Sequence, residues 1–400
     1  MGSDRRMEEY EMKRRLWAFV AVIALLLAAC GDGAGDTTTT EGGGATTTEG
    51  GATTTEGGAT TTEGGGEGVV VGISWNNYAQ PRWAKADGPA IIAAVEAAGG
   101  TVIEKDANDS AEQQLADVDA LIAEGAQALI ILAKDAEAIL PAVQRAKDAG
   151  IPVIGYDRLI ADPEAFYITF NNQGVGTIMA EVITAAVPAG NYAIVKGHSA
   201  DPNADFLREG MVEAVDGNPD ITIVCEDYND NWDTNNARNM MDACLAANNN
   251  EIDAVISEND SMATGVVAAL DAVGLAGTVP VTGQDGDLPA LNRVALGTQL
   301  VSVWKDAFGL GQTAGEVAIQ LAQGVALEDV VAPDDLQDHV FPEAGLEAQP
   351  FDADGVQVWS IILKPTPITL DNLNLVIDLG WEPQADVCAG VAAGTVDACG

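Results

Sequence analysis

The chain has 400 residues, of which 47% are hydrophobic and 20% are charged, so it is long enough to bury one or two cores. Asp and Glu outnumber Lys and Arg by 61 to 18, which gives a formal net charge of −43. Nucleic acids and anionic membrane surfaces require clustered Lys and Arg, so this charge argues against both and favours a neutral or cationic small ligand.

The first 29 residues have the pattern of a secretory signal peptide. Basic residues 13–15 precede an apolar run from Leu16 to Ala29. This run is shorter than the ~20 residues of a membrane-spanning helix, which favours a cleaved signal over a permanent anchor. The sequence LAAC, ending at Cys30, resembles the bacterial lipobox, in which the cysteine is lipidated. We therefore expect an extracytoplasmic protein, lipid-anchored through Cys30 to the outer face of the cell membrane or on the periplasmic side.

Residues 30–68 are predicted to form a disordered tether rich in Thr, Gly and Glu. The unit ATTTEGG occurs three times in register between Ala45 and Gly65. Seven is the coiled-coil period, but no position of this unit holds a large apolar residue, so it has no seam to bury.

From Val69 onward, apolar strand-like runs alternate with helical patterns that often stop at glycine. The strand-like runs are VVVGISW, TVIEKDA, ALIILA, IPVIGYD, NYAIVKG, ITIVCEDY, EIDAVISEN, VPVTGQD and QLVSVWK. Apolar strands linked by helices predict an α/β fold with parallel sheets. Nine strands are too many for one comfortable sheet, so we expect two lobes.

Polar or aromatic side chains stand where these strands end, which is where open α/β sheets bind ligands. They are Trp75, Asp157, Arg158, His198, Asn259, Asp260, Asp285 and Lys305. Asp260 and Asp287 precede helical patterns, so for these two a helix N-cap is the simpler interpretation. The recurrence of polar strand ends nevertheless predicts a binding site.

Two tryptophans in polar surroundings indicate what that site binds. Trp83 lies in QPRW and Trp232 in NDNWD. Planar rings can cover the C–H faces of a sugar, while Asp, Asn and Arg pair with its hydroxyls, which both donate and accept hydrogen bonds. This combination predicts a monosaccharide site.

Motifs for catalysis are missing from the sequence. HExxH, GxSxG and the P-loop do not occur, and nothing requires a metal or cofactor. Of the two histidines, His198 lies in a GHSAD loop and is interpreted as a loop hydrogen-bonding group. The glycine-rich stretch GLGQTAG at 309–315 is interpreted as a helix-packing surface. Asp157, Asp260 and Asp285 are the candidates for an acid and base pair, which keeps a glycosidase as an alternative.

Four cysteines follow Cys30 and allow three disulfide connectivities. The local pairs, Cys225 with Cys244 and Cys388 with Cys399, are favoured. Both fit an oxidising compartment.

Six stretches, in order and with matching spacing, resemble the D-xylose-binding group of periplasmic sugar-binding proteins, the substrate-binding components of ABC importers. They are GYDRLI, FYITFNNQGVG, GNYAIVKG, LAANNNEIDAVISENDSMATGVVAAL, VTGQDGDLPALNRVALGTQLVSVWK and KPTPITLDNLNLVI. The resemblance covers about residues 69–380, and the cysteine-bearing tail lies beyond it.

The resemblance implies a type I periplasmic binding protein, in which two Rossmann-like lobes are joined by a three-crossover hinge. Lobe 1 would comprise residues 69–171 and 305–335, lobe 2 would comprise 172–304 and 336–385, and 386–400 would be a separate tail. Matched motif by motif, the implied ligand-binding residues are Arg82, Trp83, Asp157, Arg158, Asn203, Trp232, Asn259, Asp285 and Lys305. Trp232 would be the stacking aromatic of lobe 2, and Lys305 a cation near the hinge.

The leading hypothesis is a monomeric, non-catalytic carrier that captures a monosaccharide and delivers it to a membrane permease. D-xylose is the leading candidate for that sugar. Alternatives of other kinds stay open: a sugar sensor for a chemoreceptor or kinase, a glycosidase, or a binder of ribose, arabinose, glucose or galactose. A repressor domain would need a basic helix-turn-helix where this chain has its signal peptide and acidic tether.

Overall fold

The computed structural model describes residues 68–400. The predicted signal peptide, the lipidation at Cys30 and the tether up to residue 67 lie outside the described residues. Among the helices of residues 68–400, none is both long and apolar enough to span a bilayer.

The elements of this part of the chain alternate as the sequence predicts. The strands are β1 Val70–Trp75, β2 Thr101–Asp106, β3 Ala128–Ile131, β4 Val153–Tyr156, β5 Ala165–Phe170, β6 Gly190–Lys196, β7 Ile221–Tyr228, β8 Ala254–Ser257, β9 Thr282–Gln284, β10 Val301–Trp304, β11 Gln349–Ala353, β12 Val356–Leu363 and β13 Thr366–Ile368. The α-helices are α1 Gly88–Ala97, α2 Ala111–Ala123, α3 Leu140–Asp148, α4 Asn172–Ala186, α5 Pro202–Met211, α6 Thr234–Ala247, α7 Asp260–Ala272, α8 Leu288–Leu296, α9 Ala307–Ala322, α10 Asn374–Asp378 and α11 Gln384–Val387. A π-helical turn, Trp83–Asp87, leads into α1.

Lobe 1 contains a seven-stranded sheet in the order β11-β12-β5-β4-β3-β1-β2. All its pairings are parallel except that of β11 with β12. Strands β3, β4 and β5 are buried at every position. Burial on both faces explains their unbroken apolar sequences, because helices cover both sides of such a sheet.

Lobe 2 contains the three-stranded sheets β7-β6-β8 and β13-β10-β9. An isolated parallel bridge between Val255 and Val281 connects them. Its main core cluster includes Tyr192, Met241 and Val301. The predicted two-lobed parallel α/β fold is therefore correct.

The chain passes between the lobes three times: from β5 to α4, from β10 to α9, and from β12 to β13. One predicted boundary is wrong. Residues 336–385 were assigned to lobe 2, but Leu336, Val340 and Ala348 are buried in the lobe 1 core, and β12 pairs with β5 over five positions and extends the lobe 1 sheet. The hairpin β11–β12 turns at Asp354 and Gly355, both with positive φ, so it lacks the strand–helix alternation on which the assignment relied.

The tail at 386–400 is not a separate unit. Val387 and Val396 are buried with Leu291 and Val294 of α8 in one apolar cluster. The side-chain amide of Asn292 donates to the carbonyl oxygens of two residues in this tail, each at 2.8 Å. The tail is therefore part of lobe 2.

The glycines of GLGQTAG pack helix against helix, as predicted. A Cβ atom at Gly311 would lie 2.7 Å from the carbonyl oxygen of Asp87, and one at Gly315 would lie 2.7 Å from the Cβ of Ala94. These glycines let α9 approach α1 closely. They thereby fix the position of the turn that precedes α1.

The structure pairs Cys225 with Cys244 and Cys388 with Cys399, the two local pairs that the sequence favours. The first joins β7 to α6 across a separation of 19 residues. Replacing both Cys225 and Cys244 by Ser should lower the free energy of unfolding by about 3 kcal/mol, because the unfolded chain regains loop entropy. Denaturant unfolding measures this. The double Ser variant of the tail pair, which closes a shorter loop, should lose slightly less, and an unchanged midpoint for both would contradict the expectation.

Candidate functional site

A cavity with about 320 Å³ of empty space, which includes its opening to solvent, lies between the two lobes. Its lining residues are Gln80, Arg82, Trp83, Asp157, Arg158, Asp201, Asn203, Trp232, Asn259, Gln284, Asp285 and Lys305. The structure thus brings together all nine ligand-binding residues that the resemblance implies. The remaining three, Gln80, Asp201 and Gln284, were not predicted.

The ends of the strands position most of these side chains. Asp157 directly follows β4, Asp285 follows β9 and Lys305 follows β10. Asp157 and Asp285 have φ values of 59° and 103°, which are unusual for residues other than glycine. Such backbone conformations cost free energy and cluster at binding sites, where the surrounding structure holds them in place.

Arg82 is the centre of a buried charge network. Its guanidinium group lies 2.9 Å from Asp87, 3.1 Å from Asp157 and 3.3 Å from Asp285. Burial alone would lower the pKa of Arg82, but Asp87 and Asp157 outweigh it and raise that pKa well above its ordinary value. Because Asp285 belongs to lobe 2, this arginine ties the two lobes together across the cavity.

Asp157 and Lys305 form the hinge side of the cavity. Burial acts to raise the pKa of Asp157, but the nearby cations Arg82 and Lys305 outweigh it, so that pKa is below its ordinary value. The Lys305 ammonium is 1% exposed and donates to Asn172 Oδ1 at 2.7 Å. Burial lowers the pKa of Lys305, and Asp157 opposes that shift. Asn203 donates from lobe 2 to the side chain of Asp157 at 3.2 Å.

A second ion pair crosses between the lobes. Arg158 Nε lies 2.8 Å from a carboxylate oxygen of Asp201, and the Trp232 indole donates to the same oxygen at 3.1 Å. Arg158 also donates to the carbonyl oxygen of Ala133. Asp201 therefore fixes both a lobe 1 cation and a lobe 2 ring.

Gln80 connects the lobes on the far side of the cavity. It accepts from Asn259 at 3.1 Å and donates to the carbonyl oxygen of Trp232 at 3.4 Å. Within the lining, Trp83 Nε1 and Gln284 Oε1 make neither a hydrogen bond nor an ion pair with any residue that the structure describes. A buried donor and a buried acceptor without partners are suited to a ligand that both donates and accepts.

Two indole rings form the planar surfaces of the cavity. Trp83 and Trp232 are 3% and 5% exposed, and the Arg82 guanidinium carbon lies 4.4 Å from the centre of the Trp83 ring. Trp75, which the sequence placed at a strand end, is instead a core residue that donates to Glu104. Its position in β1 turns its ring into the lobe.

The N-cap interpretation is wrong for Asp260. Asn259 is the residue that caps α7, accepting from the backbone N–H of Met262, and Asp260 is the first residue of the helix. The buried carboxylate of Asp260 accepts from the backbone N–H groups of Gly286 and Asp287, each at 3.0 Å. It therefore holds the loop that carries Asp285. Asp287 occupies an N-cap position but makes no capping bond through its side chain.

Burial raises the pKa of Asp260 from 3.8 to about 7, with Arg293 opposing the shift and Asp285 adding to it. The folded state binds the carboxyl proton of Asp260 more tightly than the unfolded state does. The stability that this proton contributes is therefore complete below pH 3.8 and is lost as the pH rises to about 7.

We expect Asp260→Asn to flatten the dependence of unfolding free energy on pH across that interval. Denaturant titrations of both proteins at several pH values measure the slope. The variant also removes the carboxylate charge that helps to raise the pKa of Asp287, which flattens the slope further. Parallel curves for wild type and variant would contradict the assignment.

The comparisons with known proteins agree with this architecture. Residues 71–326 match the model of the periplasmic binding protein domain. The chain is 36% identical over 260 residues to the D-xylose-binding periplasmic protein of Escherichia coli, covering 64% of this chain and 78% of that protein. It is 33% identical over 262 residues to the protein of the same name from Haemophilus influenzae, with 64% and 79% covered.

A solved structure extends the comparison to three dimensions. The ABC transporter solute-binding protein of Clostridium phytofermentans, solved with bound β-D-glucose, is 27% identical and superposes with a TM-score of 0.67, covering 80% of this chain and 99% of that one. The family match, the identity to the curated relatives and the shared two-lobed fold lead to one conclusion: the chain belongs to the periplasmic binding protein family.

Proposed function

We propose that this chain is the monosaccharide-binding component of an ABC importer, with D-xylose as its ligand. The observation that carries the proposal is the convergence of nine polar and aromatic residues from both lobes on one cavity. The relatives named for D-xylose binding and the solved relative with bound glucose support a sugar as the ligand class.

The cavity suits a sugar chemically. Trp83 and Trp232 offer ring faces for C–H groups, while Arg82, Asp157 and Asp285 offer fixed donors and acceptors. The side chains that line both lobes contact each other directly, as between Arg82 and Asp285. A sugar that bonds to residues of both lobes binds the closed form better than the open form, so it shifts the population toward closure.

In the proposed role the closed form delivers the sugar to a membrane permease, and the protein itself catalyses no reaction. The lipid anchor at Cys30 and the tether would keep the carrier close to that permease while letting it move. Mass spectrometry of the mature protein from a lipid-modifying host tests the anchor: we expect an N-terminal diacylglyceryl cysteine, and a mature protein that keeps residues before Cys30 would contradict it.

Titration calorimetry tests the ligand. We expect D-xylose to bind with micromolar or tighter affinity and with a stoichiometry of one. The comparison sugars are ribose, arabinose, glucose and galactose. D-glucose is the most demanding of them, because it differs from xylose only by a hydroxymethyl group. Tighter binding of another aldose would replace xylose as the ligand, whereas the absence of heat with all five sugars would contradict the proposal. Release of sugar from an aryl pentoside would contradict the non-catalytic role.

A further inference from the structure

The C-terminal segment, defined as residues 381–400, contacts the candidate sugar site from behind and lies outside the part of the chain that matches the family model. Its first two residues, Trp381 and Glu382, are each only 6% exposed although they follow the last long helix by many residues. Their contacts reach residues of both lobes.

Trp381 holds the loop that carries Asp285. Its indole N–H donates to the carbonyl oxygen of Gly286 at 2.6 Å. The carboxylate of Asp260 binds the amide of the same glycine from the other side. Gly286, which follows Asp285, is thus held both through its carbonyl oxygen and through its backbone N–H group. The Trp381 ring packs on Trp304, with 5.4 Å between ring centroids.

Glu382 holds the turn that carries Arg82 and Trp83. The ammonium group of Lys85, in the middle of that turn, bonds to the Glu382 carboxylate and donates to the Trp381 carbonyl oxygen at 3.3 Å. It also lies 5.1 Å from the centre of the Trp381 ring. Lys85 belongs to lobe 1 and Glu382 to lobe 2, so these contacts join the lobes outside the cavity.

The segment is itself well anchored in lobe 2. The disulfide between Cys388 and Cys399 closes it, and two hydrogen bonds from Asn292 attach it to α8. A rigid base of this kind lets Trp381 and Glu382 act on the site with little loss of conformational freedom.

We propose that the C-terminal segment is a positioning element of the sugar site: Trp381 fixes the Asp285 loop, and Glu382 fixes the Arg82 turn across the closed lobes. The inference rests on the proposed function. Contacts that exist only between closed lobes form after the sugar has entered, so they slow dissociation and leave association nearly unchanged.

Three variants test this by stopped-flow measurement of D-xylose association and dissociation. Trp381→Phe keeps a ring for packing but removes the donor to Gly286. Lys85→Met and Glu382→Gln remove the contact between the lobes at a position where Lys85 is 41% exposed, so folding should not depend on it. Each should speed dissociation about three- to tenfold, with association within about twofold of wild type. Trp381→Phe acts within lobe 2, and it does so by loosening the loop whose Asp285 carboxylate contacts Arg82 across the lobes. Lys85→Met and Glu382→Gln combined should cost less than the product of their separate effects.

Matched controls separate positioning from general stability. Trp359→Phe alters a half-buried tryptophan of β12 in lobe 1, and Lys105→Met breaks the pair with Glu124, which lies wholly within lobe 1. Neither should change the dissociation rate. The inference is overturned if the wild-type chain binds sugar but the three variants dissociate at the wild-type rate, or lose affinity only through slower association. If the wild-type chain binds none of the five sugars, the proposed function fails and the inference with it.

Discussion

Arg82→Met should abolish detectable sugar binding, a loss of about 100-fold or more in affinity, and also destabilise the fold. Arg82 is 2% exposed and lies within 3.3 Å of three carboxylates from both lobes. Removing it leaves Asp87, Asp157 and Asp285 buried without their shared cation. Breaking a buried ion pair in this way costs about 3–5 kcal/mol.

Arg145→Met is the matched control for this prediction. Arg145 also pairs with a carboxylate, Asp119, but on the surface of lobe 1, where such pairs contribute only about 0–1 kcal/mol. Denaturant unfolding and calorimetry with D-xylose measure both effects. Arg82→Met with wild-type affinity would show that the charge network serves the fold alone.

Lys305→Met should weaken sugar affinity by about 10- to 100-fold, which is the usual worth of one hydrogen bond to a charged group. The ammonium of Lys305 lies between Asn172, to which it donates at 2.7 Å, and the cavity. Its removal also takes away one of the cations that keep the pKa of Asp157 low, so the proton affinity of Asp157 should increase.

Lys364→Met is the control, because Lys364 lies at the third crossover of the hinge but is exposed. It should leave affinity unchanged. A Lys305→Met variant that binds D-xylose within about twofold of wild type would make Lys305 a structural residue of the hinge rather than a ligand contact.

The sequence predicts the layout of this fold well where apolar strands alternate with helices. All nine predicted strands are present, whereas β5, β11, β12 and β13 were not among them. Strand β5 follows β4 through a short loop without an intervening helix, and β11 with β12 forms a hairpin. Both depart from the strand–helix alternation. Pairing of β12 with β5, which decides the lobe boundary, joins segments about 190 residues apart and has no local signal.

The sequence predicts the part of the site that lies at the carboxyl ends of strands. Gln284 is the last residue of β9, next to the predicted Asp285, so the same rule would have found it. Gln80 lies in a loop whose path depends on contacts with lobe 2. Asp201 has the local pattern of an N-cap, which it is, and only the tertiary structure shows that it also binds Arg158 and Trp232.

Asp260 illustrates the opposite case, in which a sound local rule gives a wrong answer. An acid at a helix start is usually a cap, but Asn259 already fills that role. The carboxylate of Asp260 is thereby free to bind the loop after β9. Asn259 and Asp260 are adjacent in sequence but have different roles. The difference comes from the tertiary structure, which places β9 and β10 beside α7.

A crystal structure of the chain grown with D-xylose tests the central claim most directly. We expect one sugar in the cavity between the lobes, with its ring beside Trp83 or Trp232 and its hydroxyls bonded to Arg82, Asp157 or Asp285. A sugar bound elsewhere, or an empty cavity under saturating D-xylose, would contradict the account.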